Sequence, residues 1–244
     1  MNVLVFGATS AVAAEVAALC AARGDRLHLV GRNPAKLAAV AVRCGPRAST
    51  EVADFDDLSA NEALVERSIA ELGSVDLVLV AHGDLRDQIA SERSFTEAEA
   101  TLRTNFLSVV SLVIPLANYF EKKRAGQLAV IASVAGDRGR PRNYTYGAAK
   151  GALTIYLQGV RTRLFPSNVH ITTIKLGPVD SPMTRDHEKN VLFGKPPSVA
   201  KQILKAIDER AAEAYVPHVW AAIMPVVKHM PERLIQKLSF LSGR

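Results

Sequence analysis

A chain of 244 residues, 48% hydrophobic and 22% charged, has the make-up of a folded protein large enough to bury a substantial core, which excludes a disordered tail, a collagen and a coiled coil. Its 30 basic and 24 acidic residues leave a charge of +6, but bases and acids are interspersed and only 6% of residues are aromatic, so no nucleic-acid platform is expected. Cys20 and Cys44 form no CxxC pair and sit in no His/Cys cluster, which fits a reducing compartment and gives no metal site.

The opening run NVLVFG has no basic region ahead of it and is stopped by a glycine, so a first strand is expected in preference to a signal peptide. AVAAEVAALCAARG reads as a helix, RLHLVG as a second strand, NPAKLAAVAVRCG as a second helix, and EVA from Glu51 marks a third strand. DLVLVAHG, GQLAVIAS and VHITTIKLG are nearly continuous apolar runs, the pattern of strands covered by helices on both faces. EAYVPHV supplies the last strand, after a helix that begins near Ser198. The uncharged stretch from Thr104 to Phe120 contains Asn105, Ser108, Ser111, Pro115 and Asn118 and falls short of a bilayer span, so a buried helix is expected there. No repeat or long linker divides the chain. The expectation is one Rossmann-like α/β domain over residues 1–244, a doubly wound parallel sheet whose ligands bind beyond the carboxyl ends of its strands.

GATSAVAAE joins the first strand to the first helix, where exposed backbone N–H groups and the helix dipole favour a phosphate. Of the usual three glycines only Gly7 is present, with Ala11 and Ala13 in the other two places; a tight turn without a ligand is the alternative. After the second strand no acid is available for a ribose 2′-hydroxyl. Arg32, with Ser10, Asn33 or Lys36, suits the 2′-phosphate that distinguishes NADP, so NADP(H) is favoured over NAD(H), a solvated Arg32 and Lys36 being the alternative. Asp54, after the third strand, is placed for an adenine edge.

Tyr146 and Lys150, in YTYGAAKGAL, are spaced i and i+4 and so share a helix face. A phenol of pKa about 10 is a poor acid or base at neutral pH, and the adjacent ammonium is expected to lower that value. Ser133, at the end of the preceding strand, can donate a hydrogen bond to a carbonyl oxygen, and Asn105 is expected to fix a water linking the lysine to solvent. Together these four fit hydride chemistry at a carbonyl.

These features resemble the short-chain dehydrogenase/reductase family over nearly the whole chain. The resemblance is carried by Gly7-Ala8-Thr9-Ser10, by Asp54, Asn105 and Ser133, by the YxxxK of Tyr146 to Lys150, and by GPVDSPMT from Gly177 to Thr184. It implies cofactor contacts at Gly7, Thr9, Ser10, Ala11 and Val12, at Arg32 and Asn33, and at Asp54 and Phe55. Further contacts are implied at Ala81, His82 and Gly83 and at Gly177, Val179 and Ser181, with Tyr146 and Lys150 at the nicotinamide ribose. It also implies that Tyr146 protonates the developing alkoxide while Ser133 orients the carbonyl, the same residues running the oxidation in reverse. A homodimer or homotetramer through the helices bearing Asn105 and YxxxK is implied as well.

The chain departs from the family pattern at Val80-Ala81-His82-Gly83, where NNAG is usual, and at Leu176, where a proline precedes the glycine. Hydrogen bonds beneath the cofactor are therefore expected to be loosened or rerouted, with His82 packed and hydrogen-bonded in preference to facing a ligand. TRDHEKNVLFGKPPS reads as a short polar lid. Trp220, Ile223, Met224 and Val227, then Leu234, Ile235, Leu238 and Phe240 past Pro231, form an apolar stripe accompanied by Lys228, Arg233, Lys237 and Arg244. Core or subunit packing is the plainer reading of residues 220–244, and contact with an anionic membrane or a hydrophobic substrate entrance the sharper one. This tail and the modified first loop are loosely similar to the branch that reduces a keto-sugar attached to a polyprenyl phosphate. Arg138, Arg140 and Arg142 form either a solvated basic loop or a site for a phosphate or carboxylate on the substrate. The expected function is NADP(H)-dependent interconversion of a ketone and a secondary alcohol by a cytoplasmic enzyme, with a lipophilic substrate or lipid-linked keto-sugar and a membrane-peripheral location as the sharper alternatives. The alternative is a non-catalytic NADP-binding sensor or interaction subunit that keeps the fold.

Overall fold

The computed structural model describes residues 1–185 and 188–237. Its strands are β1 (Asn2–Phe6), β2 (Arg26–Gly31), β3 (Ala48–Val52), β4 (Leu77–Val80), β5 (Gly126–Ser133), β6 (Val169–Leu176) and β7 (Glu213–Val216). They form one parallel sheet in the order β3-β2-β1-β4-β5-β6-β7. The order reverses between β1 and β4, so the loops after these two strands part to either side and leave a crevice at the carboxyl edge.

Alternation along each strand decides which helices cover which face. Val3 and Val5 point to the side packed by α1 (Ala11–Ala22), α2 (Pro34–Cys44) and α8 (Pro196–Asp208), whereas Leu4 and Phe6 point to α3 (Asn61–Leu72), α6 (Ser108–Lys123) and α7 (Tyr144–Leu164). All four are fully buried, each worth roughly 1.5–3 kcal/mol of transfer free energy. Two short helices, α4 (Gln88–Arg93) and α5 (Phe95–Leu102), follow β4, and α9 (Val219–His229) and α10 (Glu232–Lys237) follow β7.

A π turn at Arg103–Leu107 joins α5 to α6. The resulting run Phe95–Lys123 is long and apolar enough to cross a membrane by length and composition, more than residues 104–120 suggest alone. Here it is a core helix: Val109, Leu112, Val113, Leu116 and Phe120 are buried against the sheet and α7.

Candidate active site

The chain leaves β1 at Gly7, whose φ is +78° and where a Cβ would stand 2.5 Å from the His82 nitrogen; only glycine fits. The Gly7 and Ala8 amides donate to the Val30 carbonyl at 2.9 and 3.0 Å, and the Ser10 amide donates to the Gly7 carbonyl at 3.0 Å. The Ser10 hydroxyl caps α1, accepting from the Ala13 amide at 3.1 Å. The amides of Thr9, Ala11 and Val12 are left without partners among the described residues. Such orphan donors at a helix N-terminus lined by small side chains fit an anionic diphosphate. Arg32 is exposed after β2 with no acid partner among the described residues. Asn33 is partly committed, its Oδ1 capping α2 by accepting from the Lys36 amide at 2.9 Å. Asp54 is exposed after β3, while the Phe55 ring is buried against Phe6 and His82.

Ser133 ends β5, and Tyr146 and Lys150 lie one turn apart on α7, so a strand end and a helix face bring the three together. Ser133 Oγ accepts from the Ala135 amide at 3.1 Å and donates to the Leu176 carbonyl at 3.3 Å. Lys150 is buried; its Nζ donates to the Ile131 carbonyl at 3.1 Å and lies 5.8 Å from the centre of the Tyr146 ring. Burial pulls this ammonium down to about 8. Burial also pushes Tyr146 up to about 12, countered by the neighbouring Ser133 hydroxyl and assisted by the Asp84 carboxylate. The phenol is thus neutral at physiological pH.

Asn105 lies in the π turn and is fully buried. Its Nδ2 donates to the Asp84 and Thr101 carbonyls at 2.8 and 3.0 Å, and its Oδ1 accepts from the Asp84 amide at 3.1 Å. A Cβ at Gly83 would stand 2.9 Å from Asn105 Oδ1 and 3.4 Å from Lys150 Nζ, so the loop after β4 meets both residues at one point.

The other wall starts at Gly177, where a Cβ would stand 2.2 Å from Trp220 Nε1. The indole lies over this glycine and packs with Met224 and with Val134, the residue after Ser133. Trp220 is 8% exposed, and its Nε1 has no acceptor among the described residues. Below it, Lys175 Nζ is 2.9 Å from Asp137 Oδ1 and 3.0 Å from Glu213 Oε2, and the Tyr215 hydroxyl donates to Asp137 Oδ2 at 2.5 Å. Burial alone would lower Lys175, but the two carboxylates outweigh it and hold the lysine above its ordinary range; Tyr215 is pushed up to about 12 by burial and by Asp137. This cluster ties the turn after Ser133 to β6 and β7. Val179 bridges Gly194, closing the base of the loop between them.

Residues 1–192 match the profile of the family described as short chain dehydrogenase. The chain belongs to that family. An uncharacterized oxidoreductase of Mycobacterium tuberculosis is 32% identical over 223 residues, 90% of this chain and 88% of its own length. Another uncharacterized oxidoreductase, from Streptomyces coelicolor, is 30% identical over 241 residues, 97% and 95% of the two chains. The crystal structure of a short chain dehydrogenase from Burkholderia cenocepacia in complex with NADP aligns with a TM-score of 0.84 over 97% of this chain and 96% of that one, at 19% identity, a likeness of fold. The protein is accordingly an oxidoreductase of the short-chain dehydrogenase kind.

Within this dehydrogenase Asn105, Ser133, Tyr146 and Lys150 gather as expected, but two of their expected roles change. Lys150 does not lower the Tyr146 phenol, because its Nζ is held by Ile131 and faces the ring, and desolvation dominates. The Asn105 side chain, fully buried, satisfies itself locally and clamps the loop at Asp84, so any water Asn105 holds would rest on its backbone. The bonds missing with NNAG are rerouted. His82 Nε2 lies 2.8 Å from Ser108 Oγ, which donates to the Thr104 carbonyl at 2.7 Å, and Thr104 Oγ1 donates to Asp56 at 2.8 Å. Ser108 therefore accepts from His82, which fixes the Nε2–H tautomer; burial, with the Lys150 and Arg32 charges, lowers this ring to about 3.

Arg138 is neither solvated nor free for substrate, since it pairs with Glu232 and donates to the Lys228 carbonyl. Arg140 is partly buried with no acid partner among the described residues, and burial and Arg142 lower it. Trp220, Ile223, Met224 and Val227 face inward and pack together, the plainer of the two readings of this stripe. Ile235 is buried and Leu234 half exposed, while Leu238, Phe240 and Arg244, like Asp186 and His187 of the lid, lie outside the described residues. Sequence reasoning missed the Lys175–Asp137–Tyr215 cluster and the Gln88–Thr145 pair that seats α4 on the start of α7.

Proposed function

We propose that this dehydrogenase uses NADP(H) to reduce a lipophilic ketone, of which a lipid-linked keto-sugar is one form, to a secondary alcohol. The observation that carries the reading is the convergence of Ser133 at the end of β5 with Tyr146 and the buried Lys150 one turn apart on α7, Lys150 Nζ lying 5.8 Å from the centre of the Tyr146 ring. The nicotinamide, when bound, supplies the hydride. Ser133 holds the substrate oxygen, and Tyr146 delivers a proton to that oxygen as it gains negative charge. A phenol that stays protonated is prepared for reduction, which supports that direction. The Thr9, Ala11 and Val12 amides would hold the diphosphate and Arg32 the 2′-phosphate, a preference supported by the absence of an acid after β2. The Burkholderia protein of the same fold was crystallised with NADP. The apolar surround of Trp220 supports a lipophilic substrate.

The test is to follow oxidation of NADPH and NADH by the purified protein against a panel of ketones, with Tyr146→Phe as control. Turnover with NADPH that Tyr146→Phe abolishes is expected. Bound NADPH without turnover would favour the sensor reading. We also propose that the chain self-associates through α6 and α7, whose outer faces expose Ile114 and Ile155. Light scattering of Ile155→Glu should then give a smaller particle than the unsubstituted protein.

A further inference from the structure

The outward side of α9 is as apolar as its inward side. Val219, Ala221, Ala222, Pro225 and Val226 are all exposed, the last at 64%, and no charge interrupts them before Lys228. This is unusual for a helix whose inner residues already fill a core, because surface helices ordinarily turn polar side chains outward. A second segment adds to the same surface. Leu192 packs into the Trp220 cluster, and its neighbour Val191 stands 99% exposed, with Met183 at 47%. Through Leu192 this second segment sets Val191 close to α9, and exposed apolar surface of this kind marks an interaction site.

The charge around it chooses the partner. Arg185, Lys195, Lys228, Arg233 and Lys237 are exposed on these segments; of the exposed acids there, Asp180 is paired with Lys189 and Glu232 with Arg138, which leaves Glu188. An apolar face flanked by cations is the complement of a bilayer with anionic headgroups, where aliphatic side chains sink between acyl chains and the cations stay among phosphates. We propose that α9 and the loop carrying Val191 form a docking face for an anionic membrane. Because Trp220 and Met224 on the inner side of the same helix pack against Gly177 and Val134, the residue after Ser133, docking sets the catalytic side of the molecule near the lipid. A lipophilic ketone then reaches Ser133 and Tyr146 without crossing water. This deepens the proposed choice of substrate, but the binding event does not depend on catalysis.

The experiment is co-sedimentation of the full chain with phosphatidylglycerol-containing vesicles and with pure phosphatidylcholine vesicles, without cofactor or substrate. Val191→Asp/Val226→Asp serves as the variant, since both positions are exposed and outside the catalytic and cofactor sets. Binding to the anionic vesicles, at least about tenfold weaker to the neutral ones and about tenfold weaker in the double variant, is expected. Reduction of a short water-soluble ketone should be unchanged in that variant. Absence of binding, equal binding to both vesicles, or binding unaffected by the variant overturns the proposal. So does light scattering in which the variant converts an oligomer to a monomer, since the patch would then belong to a second copy. Vesicle binding without ketone turnover would instead leave the docking face standing and sink the reductase reading.

Discussion

The loops after β1 and β4 hold their shape through backbone bonds, helix caps and the buried amide of Asn105, whereas the wall above Gly177 is an apolar helix laid on near the end of the chain. On the first side polar groups are committed to one another, and those left over, the Thr9, Ala11 and Val12 amides, point to an anion. On the second side shape is set by the contact of Trp220 with Val134, Met224 and Gly177, and by Arg138 reaching Glu232. Directional bonds suit a ligand whose chemistry is fixed. Packing suits one whose bulk must be accommodated.

The contrast can be broken at either end. Tyr146→Phe removes the proton donor and should lower kcat/KM by about 10²–10⁴ with little change in NADPH affinity, which steady-state rates and fluorescence titration would separate. Trp220→Ala should cost about 3–5 kcal/mol of stability by thermal or denaturant unfolding, and raise KM for the ketone more than for NADPH. If both Michaelis constants moved together, the two walls would not be independent. Arg32→Glu should erode the preference for NADPH over NADH about 10- to 100-fold, the value of a charge-assisted bond, with kcat for the ketone held. Reduction should decline as pH rises through about 8, because the Lys150 ammonium is lost there; in Lys150→Arg, whose guanidinium keeps its charge, whatever rate remains should lose that limb of the profile. Arg138→Ala, which leaves behind a Glu232 that is itself 67% exposed, should cost no more than about 1 kcal/mol.

Periodicity made the sheet legible, because strands covered on both faces must be apolar at nearly every position, and DLVLVAHG and GQLAVIAS are. The catalytic residues were legible because Tyr146 and Lys150 are local, four residues apart on one helix. What sequence could not supply were partners distant along the chain and consequences of burial. Asp137 meets Tyr215 across 78 residues and Arg138 meets Glu232 across 94. Trp220 was visible as a stripe member, but its place over Gly177 follows from how β7 returns the chain to the pocket. The direction of the Tyr146 shift follows from its burial, which only the packed fold reveals.

The π turn at Arg103–Leu107 has a consequence for the length of the chain around it. A helix wound regularly through this stretch without losing a residue would turn each later side chain by about 100°. Deleting a single residue here would let the hydrogen bonds close as an ordinary α turn and keep Leu112 and Phe120 on the sheet, but it would move Asn105 off its bonds to Asp84 and Thr101. The irregularity works as a phase shifter, letting one continuous rod serve an active site with its first half and a hydrophobic interior with its second. An indel at these positions is therefore expected to be far less tolerated than a substitution.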